Sequence, residues 1–201
     1  MFTNPNRNCL LMSPGRTGSV LITTFLSKVT NLFPIIRQHN NNIKPLAVKE
    51  ILHSHDPLDF SLCNENTVYI LSTRNMIDCT FSRVIGYRNQ KYQYYGNKDL
   101  YEIKQYRIET YDFERAYQYA VTYYDAIRDK LPIHTIKIDY SQFSDDPYKL
   151  IDIFNIPKMS ARFFTDKHLI PIKTPGSYRD YIINYDEIYE YAKTFDPNPP
   201  I

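Results

Sequence analysis

The segment "CLLMSPGRTGSVLITTFLSK", residues 9–28, constrains the fold most strongly. A nearly continuous apolar run opens it, as expected of a strand buried on both faces of a parallel sheet. After two glycines, Leu21, Ile22, Phe25, Leu26 and Val29 recur at the spacing of one helical face. Gly15 and Gly18 permit backbone geometry that other residues resist. Such a turn aims the amides of residues 17 to 20 at one point at the helix N-terminus, where the dipole also favours a phosphate or sulfate group. Arg16 adds a fixed charge and a forked donor, and Thr17 and Ser19 add hydroxyls. The other reading is a plain glycine-containing strand–helix turn. A Walker A loop, G-x-x-x-x-G-K-[ST], needs a lysine that this segment lacks, which disfavours ATP or GTP with magnesium.

Three further strands are expected at "VKEILHS" (48–54), "TVYILST" (67–73) and "IHTIKID" (133–139). Helical patterns lie at "NMIDCTFSRVIGY", with Asn75 as cap and Asp78 three residues on, and at 112–131, "DPYKLIDIF" and "YDEIYEYAKTF". Strands alternating with helices predict an α/β domain with a mainly parallel central sheet flanked by helices. Residues 87–111 lack a clean period and read partly as loop, and "FDPNPPI" (195–201) reads as a frayed tail.

A chain of 201 residues without a linker or repeat is expected to form one domain. Its net charge of +2 is too small to argue for nucleic acid or a membrane surface, and neither is expected as a partner, although the total leaves a local basic site open. Three cysteines make no disulfide framework and have no metal-ligand spacing. With no signal-like N-terminus and no run of transmembrane length, the expected location is cytoplasmic.

The glycine segment resembles the first signature of the sulfotransferases that use 3′-phosphoadenosine 5′-phosphosulfate: a strand, P-[KR]-[ST]-G-[ST], then a helix. Here it reads Gly15-Arg16-Thr17-Gly18-Ser19, with glycine in place of the proline and Pro14 one position earlier. The second signature, a strand followed by an arginine and a serine eight residues later, matches Arg74 and Ser82. The resemblance implies a three-layer, P-loop-like fold. It also implies that residues 15–20, Val20 included, hold the 5′-phosphosulfate, while Arg74 and Ser82 hold the 3′-phosphate. Along a helix axis Arg74 and Ser82 stand about 10 Å apart, so spacing alone would not join them.

"HSHDP" resembles the family's K-[ST]-H-x-P, which puts His55 in the place of the catalytic base and His53 in that of the lysine. A neutral imidazole with an ordinary pKa of about 6.5 suits removal of a hydroxyl proton. A His-x-His metal site and a pair of surface histidines are the competing readings, and Glu50 is a substitute base. "IKIDYSQFSDDP" offers Tyr140 as an adenine contact or as a tyrosine packed at a strand end. "KTPGSYRDY" resembles half of the family's late phosphate-covering loop, through Gly176, Tyr178 and Arg179, which makes Lys173 and Arg179 candidate phosphate contacts.

The resemblance implies transfer of a sulfuryl group to an acceptor hydroxyl, less readily an amine, without a metal ion. His55 serves as base, and Arg16 stabilises charge in the transition state. Eleven of nineteen tyrosines lie between residues 87 and 124, beside basic residues. They suit a small-molecule or glycan acceptor, or equally a helical layer with hydroxyls turned outward. Two other functions stay open: a P-loop kinase using ATP and magnesium, and a non-catalytic phosphoadenosine-binding module.

Overall fold

The computed structural model describes residues 8–30, 33–37, 50–54, 63, 65–90, 94–95, 103–156, 171–172 and 176–201. The first half of the chain forms β1 (Asn8–Met12), α1 (Ser19–Thr30), β2 (Phe33–Arg37), β3 (Glu50–Ser54), β4 (Thr67–Thr73) and α2 (Met76–Arg88). There follow β5 (Tyr94–Tyr95), α3 (Thr110–Arg128), β6 (Ile136–Asp139), α4 (Lys149–Ile153), β7 (Pro171–Ile172), α5 (Tyr178–Tyr181) and α6 (Tyr185–Ala192).

Five strands pair in parallel in the order β2-β3-β1-β4-β6, and β5 pairs antiparallel with β7. Side chains of β1 alternate between two buried faces, which is why its sequence is apolar throughout. Cys9 and Leu11 join Val68, Ile70 and Ile138 under α1 and α4, where Ile22, Phe25, Leu26, Leu150 and Phe154 are buried. Leu10, Met12 and Leu71 face the other way, onto Ala120, Tyr123, Tyr124 and Ile127 of α3. A third cluster, around Phe81, Phe113 and Tyr181, packs α2, α3, α5 and α6 together. The chain is therefore an α/β protein with helices on both faces of a parallel sheet.

The strand expected at 133–139 is shorter than its run, starting at Ile136. Strand β2 was not expected, because Pro34 interrupts "FPIIR". Its position explains the tolerance: β2 is an edge strand, where a missing amide donor does not break the sheet. Asn75 caps α2, its side chain accepting from the amides of Ile77 and Asp78.

Residues 195–201 correct the expectation of a frayed tail. Phe195 packs on Phe113 and Tyr117, the Pro197 carbonyl accepts from the Met76 amide at 2.7 Å, and the Pro200 carbonyl accepts from Arg128 Nε at 2.6 Å. Proline carbonyls remain acceptors although the ring has no N–H, so a proline-rich end can still be tied down. Among the described residues no helix is long and apolar enough to cross a membrane.

Candidate functional site

Sheet order decides where a site can form. From β1 the chain runs towards β2 on one side, and from β4 it runs towards β6 on the other. The loops after β1 and β4 therefore diverge, opening a crevice at the carboxyl ends of two adjacent strands, the usual ligand position in open α/β sheets. Arg16 lies on the first loop and Arg74 on the second.

The loop after β1 turns through three left-handed residues, Gly15 at φ 83°, Arg16 at φ 65° and Gly18 at φ 76°. At position 15 this geometry excludes proline, whose ring locks φ near −65°. The proline of the resembled signature is thus incompatible with this loop as it is turned, and glycine adopts the geometry without strain. Arg16, as a non-glycine residue in that region, costs roughly 1–2 kcal/mol of strain.

Four successive carbonyls of the loop are held by side chains from β4, α2 and the loop between them. Pro14 O accepts from Arg83, Gly15 O from the Cys79 thiol at 3.3 Å, Arg16 O from Arg74 at 2.9 Å, and Thr17 O from the Ser72 hydroxyl at 2.7 Å. In a trans peptide the carbonyl and the next amide point in opposite directions. Holding carbonyls 14–17 against β4 and α2 therefore turns the following amides the other way. The Gly15 amide is taken by Ser13 Oγ at 2.8 Å. Hydrogen bonding of α1 towards its N-terminus begins with the Ile22 amide on Gly18 O at 3.1 Å, so the Ser19 and Val20 amides have no acceptor inside the helix. The result is a nest of donors, the geometry that receives an oxyanion.

Positive charge reinforces the nest. Arg16 Nε donates to Ser82 Oγ at 3.0 Å, so Arg16 closes the gap between Arg74 and Ser82 that helix spacing left open. Desolvation, then the neighbouring charges of Arg74 and Arg83, lowers the Arg16 pKa, although Cys79 and Tyr178 oppose this. Neither Arg74 nor Arg83 pairs with a carboxylate among the described residues. Arg74 and Arg83, both close enough to Arg16 to act on its charge, would be stabilised by an anion. Burial raises the Cys79 pKa despite these arginines, so the thiol serves as a neutral donor.

Tyr140 closes the side of the loop. It begins a short 3-10 turn at the end of β6, which Asp139 caps by accepting from the Ser141 amide. Arg74 lies 4.4 Å from the centroid of the Tyr140 ring, and the same ring packs against Gly18. Tyr178 meets Arg74 from the other direction, its hydroxyl accepting from Arg74 at 2.7 Å and donating to Asp78 O at 3.0 Å.

The structure thus brings together Gly15, Arg16, Thr17, Gly18, Ser19, Val20, Arg74, Ser82 and Tyr140. It does not bring Arg179 to them: that side chain bonds Asp186 and lies over Tyr185, while its neighbour Tyr178 reaches Arg74. His55 and Lys173 lie outside the described residues. His53 and Glu50 stand on β3, with His53 in register with Leu11 of β1. Sequence reasoning missed Ser13, Ser72, Cys79 and Arg83. Ser13 and Ser72 had a legible signal: a small polar residue in or just after an apolar strand, buried at its carboxyl end.

Ser72→Ala should cost about 1–3 kcal/mol, because the Thr17 carbonyl loses its donor inside a fully buried site. Urea unfolding measures this, and an unchanged midpoint would show that the bond does not shape the loop.

No protein-family model, curated protein or solved structure matches the chain. Among the described residues no group of three or more His, Cys, Asp or Glu residues is placed to hold a metal ion.

Proposed function

We propose that this chain is a sulfotransferase with a P-loop-like fold, taking 3′-phosphoadenosine 5′-phosphosulfate as donor. The observation that carries the reading is the loop whose four carbonyls are bound from behind by Ser72, Arg74, Cys79 and Arg83. It offers a preorganised set of amides beside two or more cations.

In this reading the amides of Thr17 to Val20 and the Ser19 hydroxyl bind the 5′-phosphate. Arg16 meets charge growing on the oxygen between phosphorus and sulfur, and Arg74 with Ser82 binds the 3′-phosphate. Tyr178 joins that group by orienting Arg74. An acceptor oxygen forms a bond to sulfur as the sulfur–oxygen bond to the 5′-phosphate breaks. The acceptor's proton passes to His55, and adenosine 3′,5′-bisphosphate leaves. Ser54, the residue before His55, stands opposite Met12 of β1.

Calorimetric titration with adenosine 3′,5′-bisphosphate and, separately, ATP with magnesium tests the reading. The bisphosphate should bind at least about tenfold more tightly, a difference of about 1.4 kcal/mol. Tighter binding of ATP would overturn it in favour of a kinase.

A further inference from the structure

The outward face of α3 carries Tyr111, Arg115, Gln118, Tyr119 and Thr122 on successive turns, and with Phe195 they line an open groove. From Tyr111 to Tyr123 it runs roughly 18 Å, longer than one six-membered ring. Its inner end joins the anion loop by two separate contacts. The hydroxyl of Tyr123, a groove residue, accepts from the Ser13 amide at 2.7 Å. Tyr119 lies under Arg83, 4.0 Å from the guanidinium carbon to the ring centroid, and Arg83 itself donates to Pro14 O.

The lining selects a class of ligand. Tyr111 is 66% and Tyr119 44% exposed, so the groove offers aromatic surface without enclosing it. A phenol or another flat apolar acceptor would gain more from a closed pocket. Between the rings, Arg115 contributes donors, while Gln118 and Thr122 contribute groups that both donate and accept. A sugar ring presents the matching pair of surfaces, an apolar C–H face and a rim of hydroxyls that also donate and accept. Glu114 is engaged by the Tyr191 hydroxyl, and Arg115 has no ion pair among the described residues. The groove thus carries one carboxylate and one guanidinium, the carboxylate already holding a donor and the guanidinium open to an acceptor.

We propose that the α3 groove is the acceptor site and that it binds an oligosaccharide, with Tyr119 as its stacking platform. The inference rests on the sulfotransferase reading for the word acceptor, but the saccharide site can be tested without it. NMR titration of the full chain would use three probes, a uronate-containing disaccharide, cellobiose and 4-nitrophenol, with adenosine 3′,5′-bisphosphate affinity measured in parallel. At least one saccharide should saturate shifts in residues 111–123. Its affinity should fall about tenfold in Tyr119→Ala and persist in Tyr119→Phe, while the bisphosphate still binds. Binding of 4-nitrophenol alone, no saccharide binding, or a saccharide affinity indifferent to Tyr119→Ala would overturn the proposal. So would equal loss of saccharide and bisphosphate, since the ring would then serve only to hold Arg83. If wild type binds saccharide in the groove but not the bisphosphate, the donor assignment fails and the carbohydrate site stands.

Discussion

Arg74→Ala is expected to weaken adenosine 3′,5′-bisphosphate binding by roughly 10- to 100-fold without unfolding the protein. The arginine supplies two hydrogen bonds that organise the site, to Arg16 O at 2.9 Å and to Tyr178 at 2.7 Å, and stacks on Tyr140. Removing a charged partner from a bound anion costs about 1.5–3 kcal/mol. Stability should change less, because two effects oppose each other. The variant leaves Arg16 O without its donor, but it also relieves repulsion that helps to lower the Arg16 pKa. Arg74→Lys keeps the charge and loses the fork, so it should recover only part of the affinity. Calorimetry reads the binding and urea unfolding reads the stability. Unchanged bisphosphate affinity in Arg74→Ala would remove this residue from the donor site.

Gly18→Ala should be the most damaging small substitution in the loop. A Cβ at this position would stand 2.6 Å from Tyr140 Cδ2 and 2.9 Å from two carbons of the Phe143 ring. Phe143 is fully buried in the core under α1, so it has little room to yield. The φ of 76° adds a second penalty. Left-handed geometry costs alanine roughly 1–2 kcal/mol and overpacking roughly 1–3 kcal/mol, together about 2–5 kcal/mol. With a urea dependence of about 2 kcal/mol per molar, the unfolding midpoint should fall by roughly 1–2.5 M. Tyr140→Leu on the same background should return part of the packing cost and none of the backbone cost. A midpoint equal to wild type would mean that the Gly18–Tyr140 contact is not as close as described.

Local pattern carried much of the fold. The apolar runs of β1 and β4 are buried on both faces, and the helix after Gly18 follows its apolar stripe, so their neighbours only confirm what periodicity implied. β2 escaped because Pro34 is a strand breaker everywhere except at an edge, and edge position is a property of the assembled sheet. The tail escaped because its ties run to Met76, Tyr117 and Arg128, residues more than 70 positions away. Composition cannot reveal contacts of that separation.

The site divides in the same way. Gly15 and Gly18 mark a loop that needs left-handed residues, and Arg16, Arg74 and Ser82 stand out by type and order along the chain. Those properties are local, so the sequence by itself determined the α/β class, the glycine-bearing strand–helix loop and the absence of a Walker lysine. Only tertiary structure decided that Ser72, Cys79 and Arg83 hold the loop carbonyls and that Tyr178, rather than Arg179, meets Arg74. It also decided that the tyrosines of α3 open beside the loop. Each of these depends on which side chains the diverging connections after β1 and β4 bring face to face, and sheet order sets that, not spacing along the chain.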